Sequence, residues 1–227
     1  LVRLARQLGQ PQPGKAKAVA PTRLDLCLPK PDAYSVEFAV KAHLSEPEGP
    51  VHYVENSLIC SLFGLLCWEA IFAPVPGAFF HPFHIGPVDL FSANFHPRRA
   101  ELFAACLAHL DSDAYKQVIR QRYADKFGIQ SPFVYWGALD QALLEQALDC
   151  LPAAHLRAWF KRLLLDIKAN RAGMPDLIQF WPAEQRYRMI EVKGPGDRLQ
   201  DNQRRWLAFC AEHGMPVDVC YVQWADA

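Results

Sequence analysis

Two apolar runs near the end of the chain, "PDLIQFW" (residues 175–181) and "YRMIEVK" (residues 187–193), are joined only by "PAEQR". Runs of this length across so short a connection predict a pair of neighbouring strands, and this pair constrains the fold more than any other feature. Ahead of it, "AAHLRAWFKRLLLDIKAN" sets Leu156, Trp159, Phe160, Leu163, Leu164 and Ile167 on one helical stripe. After it, a helix is predicted from Arg198 to His213, with Leu199, Trp206, Leu207 and Cys210 on one side and Gly214 as its stop signal. "PVDVCYVQW" reads as a last strand. Helix, strand, strand, helix, strand is the order of an α/β (α+β) fold, a mixed sheet with helices packed on it.

Upstream the pattern changes. "GQPQPGKAKAVAPT" is rich in Gly, Pro and small residues without an apolar period, so residues 1–21 read as a linker or mobile arm. "RLDLCLP" and "YSVEFAVKAHL" alternate like two short strands separated by "KPDA". From Glu55 to Phe72 the chain is apolar nearly all round and predicts a helix central to the core. "HPRRAELFAACLAHL" places Leu102, Phe103, Cys106, Leu107 and Leu110 on one stripe, and shorter amphipathic segments near Ala114–Lys126 and Gly137–Leu148 complete a helical middle.

The apolar stretch Leu58–Pro74 is interrupted by Glu69 and falls short of the roughly 20 residues of a membrane span, so it reads as a buried helix. Seven scattered cysteines, mostly inside apolar patterns and without zinc-site spacing, fit reduced thiols of a cytosolic or nuclear protein. The chain opens on Leu1 with no signal-peptide pattern and reads as a fragment. Its net charge of zero argues against an indiscriminate polyanion binder. The average hides an asymmetry, because residues 157–205 hold eleven Lys or Arg against six Asp or Glu, an excess of five positive charges.

Charged residues inside the strand pair raise the question of chemistry. Side chains alternate along a strand, so Glu191 and Lys193 share a face, and Asp176 at the mouth of the neighbouring strand can meet Glu191. Taken as bare patterns, Pro-Asp opens many strands and Glu-x-Lys is often a solvated pair. On adjacent apolar strands, however, an idle charged cluster is costly to bury. Two carboxylates held close repel unless a proton or cation lies between them, and a hard divalent ion with oxygen ligands supplies that cation. With a lysine to orient water and a basic surround for a phosphate backbone, the arrangement suits metal-assisted phosphodiester hydrolysis.

"GMPDL", "IEVKGPGDRL" and "NQRRWL", with "SLFGLLCWEAIF" upstream, resemble the VRR-NUC branch of the PD-(D/E)XK nucleases over roughly residues 50–224. The resemblance implies a restriction-endonuclease-like core at 151–227, with 22–150 supplying a strand pair and a helical part that contributes Glu55. It implies that Glu55, Asp176, Glu191 and the carbonyl of Val192 hold one or two Mg2+ or Mn2+ ions, and that Lys193 positions the attacking water. Gln203 and Arg198 would support the site or touch substrate, with Arg171, Arg204 and Arg205 as phosphate contacts. The activity implied is cutting near 5′ flaps and 5′ to 3′ exonucleolytic digestion of DNA in interstrand crosslink repair, the family's upstream DNA-binding regions being absent from this chain. Glycines flank the first glutamate in the family, where Val54 and Asn56 stand here.

Two other readings keep the same fold: a non-catalytic DNA-binding or scaffolding module, and a junction resolvase. "HPFH" (His81, His84) with His96 has no cysteine partner at zinc-site spacing, and no Gly-rich phosphate loop is present.

Overall fold

The computed structural model describes residues 21–30 and 35–225. The arm predicted at 1–21 lies, except for Pro21, outside the described residues. The elements are β1 (Thr22–Leu28), α1 (Val36–Leu44), β2 (Val51–Tyr53), α2 (Ser57–Leu66), α3 (Trp68–Ile71), α4 (Ala100–Ala108), α5 (Ala114–Lys126), α6 (Gln141–Cys150), α7 (Ala153–Leu165), α8 (Ile167–Asn170), β3 (Leu177–Trp181), β4 (Arg186–Lys193), α9 (Asp201–Glu212) and β5 (Val217–Trp224).

One five-stranded sheet runs in the order β1-β5-β4-β3-β2. β1, β5 and β4 are parallel, while β3 is antiparallel to both β4 and β2. The predicted hairpin is therefore the middle of the sheet, and its connection turns through Gln185 in the left-handed region (φ 50°). Helices cover both faces. On one, α2 and α4–α7 form the larger core with Ile178, Phe180, Met189, Val217 and Val219 from the sheet. On the other, α1 packs Val40 with Leu177, Ile190, Val192, Cys220 and Val222.

Three local expectations are corrected. The second predicted strand is helix α1. Val36, Phe38 and Val40 satisfy a period of two, but Val36, Val40 and Leu44 also recur every four residues, and the sheet buries that helical stripe. The continuous helix expected from Glu55 to Phe72 starts only at Ser57 and breaks at Cys67 into α2 and α3. The segment just before it is strand β2, which at three residues is too short to show a period. Leu102, placed on the buried stripe of α4, is exposed, whereas Phe103, Cys106, Leu107 and Leu110 are buried as expected.

The helical middle is organised by Phe63 of α2, which is fully buried. Its ring lies 6.0 Å from Phe103, 4.9 Å from Phe133 and 5.5 Å from Phe160. One side chain thereby joins α2, α4, α7 and the loop before α6. Among the described residues no helix is long and apolar enough to cross a membrane. Phe63→Ala is expected to destabilise the protein by about 3–5 kcal/mol, as Phe-to-Ala changes in packed cores do, read from the shift of the urea unfolding midpoint.

Candidate active site

The site forms at the end of the sheet where β4 finishes and β3 begins. Leu177 pairs with Ile190 in the antiparallel register, so the next position outward sets Asp176 opposite Glu191. The backbone carbonyl of Asp176 accepts hydrogen bonds from Val54 N–H and Glu55 N–H, both at 2.9 Å. Its carboxylate Oδ2 accepts one from Val192 N–H at 2.8 Å. Asp176 therefore ties the turn after β2 and the end of β4 to the start of β3.

The approach to Asp176 is held from behind by α9. Trp206 is buried and its indole N–H donates to the Ala172 carbonyl at 3.2 Å. Gly173 lies in the left-handed region (φ 91°), and a Cβ there would sit 2.7 Å from Asn202 Nδ2, so only glycine admits this contact. Asn56 Oδ1 accepts from Met174 N–H at 3.1 Å on the other side.

Glu55 occupies the left-handed region at φ 37°, an unfavourable backbone for a non-glycine residue. Val54 and Asn56 flank it where glycine would ease such a turn, and the two hydrogen bonds to the Asp176 carbonyl hold the conformation. Its exposed carboxylate accepts from Tyr53 O–H at 2.9 Å and from Asn56 Nδ2 at 3.1 Å. Tyr53 carried no sequence signal, because its strand is too short to reveal which face it takes.

Glu191 is fully buried and Lys193 nearly so. Lys193 Nζ lies 2.7 Å from Glu191 Oε1. The contact is an ion pair without hydrogen-bond alignment, and neither Glu191 oxygen has a hydrogen-bond partner among the described residues. Burial, and then the neighbouring Asp176 charge, push the Glu191 carboxyl up to about 7, against the lowering effect of Lys193. Burial likewise raises Asp176 to about 6, opposed by the Val192 N–H and by Lys193 and reinforced by Glu37 and Glu55. Two close, buried carboxylates with unused oxygens fit the donor set of a hard divalent cation. No group of three acidic, His or Cys side chains among the described residues converges tightly enough to enclose an ion unaided. Main-chain oxygen, water or a turn of Glu55 would have to complete the shell of an ion held there.

The remaining predicted residues spread along the approach to the site. Arg198 is exposed in the loop after β4. Gln203 forms the capping box of α9, its side chain accepting from Gln200 N–H at 2.9 Å. Arg204 Nε donates to the Leu199 carbonyl at 3.1 Å, and Arg205 is exposed. Arg171 donates to the Pro132 carbonyl and the Tyr135 hydroxyl, each at 3.0 Å, bracing the loop before α6. The structure thus gathers Glu55, Asp176, Glu191 and Lys193, while Gln203 and Arg171 also have architectural partners.

The VRR-NUC domain profile matches residues 110–224, beginning after Glu55. The chain is 68% identical over 225 residues to the Fanconi-associated nuclease 1 homolog of Pseudomonas aeruginosa, a match covering 99% of this chain and 40% of that relative. It is 32% identical over 176 residues to human Fanconi-associated nuclease 1, covering 74% of this chain and 17% of the relative. A crystal structure of paFAN1 bound to 2-nt 5′ flap DNA with a gap superposes with a TM-score of 0.90 at 67% identity, covering 99% of this chain and 41% of that one. The chain thus spans about two-fifths of the length of its bacterial relative.

Raised carboxyl pKa values mean that the folded state binds protons more tightly than the unfolded chain. Their stabilising contribution is full below the ordinary carboxylate range and is lost as pH rises through about 6 for Asp176 and about 7 for Glu191. In chelator, stability is therefore expected to fall between about pH 4 and pH 7 by a few kcal/mol from these two groups, and added Mg2+ or Mn2+ should recover part of it at pH 8. Denaturant unfolding at pH 5 and pH 8, with and without the ion, checks this.

Proposed function

The chain belongs to the VRR-NUC family, and from that membership we propose that it is a divalent-metal-dependent DNA nuclease. We further propose that it acts as a structure-selective 5′ flap endonuclease and 5′ to 3′ exonuclease in DNA interstrand crosslink repair. The observation that carries the reading is the buried Glu191, facing Asp176 across the strand pair, with Oε1 against Lys193 and Oε2 without a partner. Solved relatives bound to 5′ flap DNA support the choice of substrate.

Asp176, Glu191, Glu55 and the Val192 carbonyl are the groups that would hold one or two Mg2+ or Mn2+ ions. Such an ion would supply polarisation of the phosphoryl oxygen, a lowered pKa for water and neutralisation of charge on the leaving oxygen. Val192 N–H holds the Asp176 carboxylate in one orientation, so its free oxygen is presented rather than searched for. Lys193, kept in place by Glu191 and by burial, is the group that would orient the attacking water. Arg198, exposed on the loop beyond Lys193, and Arg204 and Arg205 on α9 offer positive charge to the phosphates on either side.

Cleavage of a labelled 5′ flap DNA with Mg2+ or Mn2+, beside Ca2+ and metal-free controls, tests the assignment. Asp176→Ala and Lys193→Ala are each expected to lower cleavage by about a hundredfold or more with the circular dichroism spectrum unchanged. Unchanged cleavage in either variant would sink the assignment. DNA binding without cleavage by the parent chain would favour a non-catalytic module.

A further inference from the structure

Two side chains hold the Glu55 carboxylate, one on each oxygen. Tyr53 O–H donates to Oε2 at 2.9 Å and Asn56 Nδ2 donates to Oε1 at 3.1 Å. Both donors are anchored outside the turn that carries Glu55. Val51 and Tyr53 point to the same side of β2, that of α1, where Val51 joins the core and the Tyr53 ring stacks on Phe38 with centroids 5.4 Å apart and planes 25° from parallel. Lys41, one turn further along α1, keeps its ammonium over the Phe38 ring at 5.6 Å. The backbone of Tyr53 pairs with Leu177, the residue after Asp176.

Asn56 is fixed from the other direction. Its Oδ1 accepts from the N–H of Met174, two residues ahead of Asp176, at 3.1 Å. A backbone N–H can only donate, so the amide turns its oxygen to Met174 and its NH2 group to Glu55. The Glu55 carboxylate is thus held between α1, through Tyr53 and Phe38, and the segment leading to Asp176, through Asn56. Glu55 is exposed, and without these donors its side chain would be free to change rotamer in solvent. Each hydrogen bond uses one lone pair of a carboxylate oxygen and leaves another for a cation.

We propose that Tyr53, opposite Asn56, is a positioning residue of the metal site, fixing the orientation of the Glu55 carboxylate so that an ion meets it already arranged. The inference rests on the metal-dependent reading above and adds to it a residue that precedes the matched segment 110–224. Carboxylates that bind metals are oriented by hydrogen bonds of this kind, and a donor fixed by its own packing means that rotamer freedom is lost on folding rather than on binding. Tyr53 is suited to the task because its ring is stiff and stacked, leaving the hydroxyl little choice of position. The left-handed backbone of Glu55, at φ 37°, is a further sign that the place of this side chain is imposed from outside its own turn.

Mn2+ binding to the full 227-residue chain, followed by the loss of the free-ion signal in electron paramagnetic resonance, gives a readout independent of cleavage. Tyr53→Phe removes only the hydroxyl and keeps a ring to stack on Phe38. It is expected to weaken Mn2+ binding about tenfold, as loss of a group that orients a metal's ligands does, with the urea unfolding midpoint in chelator unchanged. The Mn2+ concentration for half-maximal flap cleavage should rise by a similar factor, with a smaller change in rate at saturating Mn2+. In a Glu55→Ala background the same substitution should leave the residual Mn2+ affinity unaltered, because the hydroxyl acts only through that carboxylate. A further loss of equal size in that background would overturn the role of Tyr53. So would a Tyr53→Phe isotherm that superposes on the parent's, or a tighter one showing that the hydroxyl parks Glu55 away from the ion; with binding lost in Asp176→Ala, either result leaves the metal site standing. Equal isotherms for the parent, Tyr53→Phe and Asp176→Ala would overturn both.

Discussion

Asp176 is the joint on which the open end of the sheet depends. Its main-chain carbonyl takes the N–H groups of Val54 and Glu55, and its carboxylate takes that of Val192. Three segments far apart in sequence are thereby set against one another by a single residue. The same bonds explain how Glu55 holds a left-handed backbone without a glycine on either side. Such a conformation costs about 1–3 kcal/mol and persists only where its surroundings dictate it. The side chain placed by that strain is an acidic group at the edge of the site.

Glu191 and Lys193 break the local rule for a buried strand. Most of β4 is buried, and apolar residues at these two positions would pack without a desolvation penalty. A buried ion pair that leaves one carboxylate oxygen without a partner is unfavourable for a protein whose only task is to fold. On the proposed reading a cation would share the space, and departures of this kind from local consistency are expected at functional positions. The helical middle supplies the rigidity. Phe63 and its aromatic neighbours consolidate one face of the sheet, and α9 with Trp206 holds the chain leading to Asp176.

Much of this architecture was legible beforehand. Strands β3, β4 and β5 and helices α5, α7 and α9 follow strong periodicities, and the structure has each of them near the expected position. Where the reading erred, the pattern itself was ambiguous. Val36, Val40 and Leu44 fit a helix and, with Phe38, also fit a strand, so burial against the sheet had to decide. β2 has three residues, less than any period needs. That error concealed Tyr53, which belongs to no motif and meets Glu55 only at the end of the short strand β2.

The amino-acid sequence by itself determined the family, the strand pair and the triad of Asp176, Glu191 and Lys193, since alternation along one strand and a short connection leave little freedom in where those side chains point. Tertiary structure alone decided that Glu55 sits in a strained turn rather than on a helix, and that Arg171 braces the loop before α6. Such facts depend on contacts between segments far apart in sequence, Glu55 with Asp176 and Arg171 with Pro132 and Tyr135. Local periodicity carries no information about them, because they are fixed only when the whole core closes.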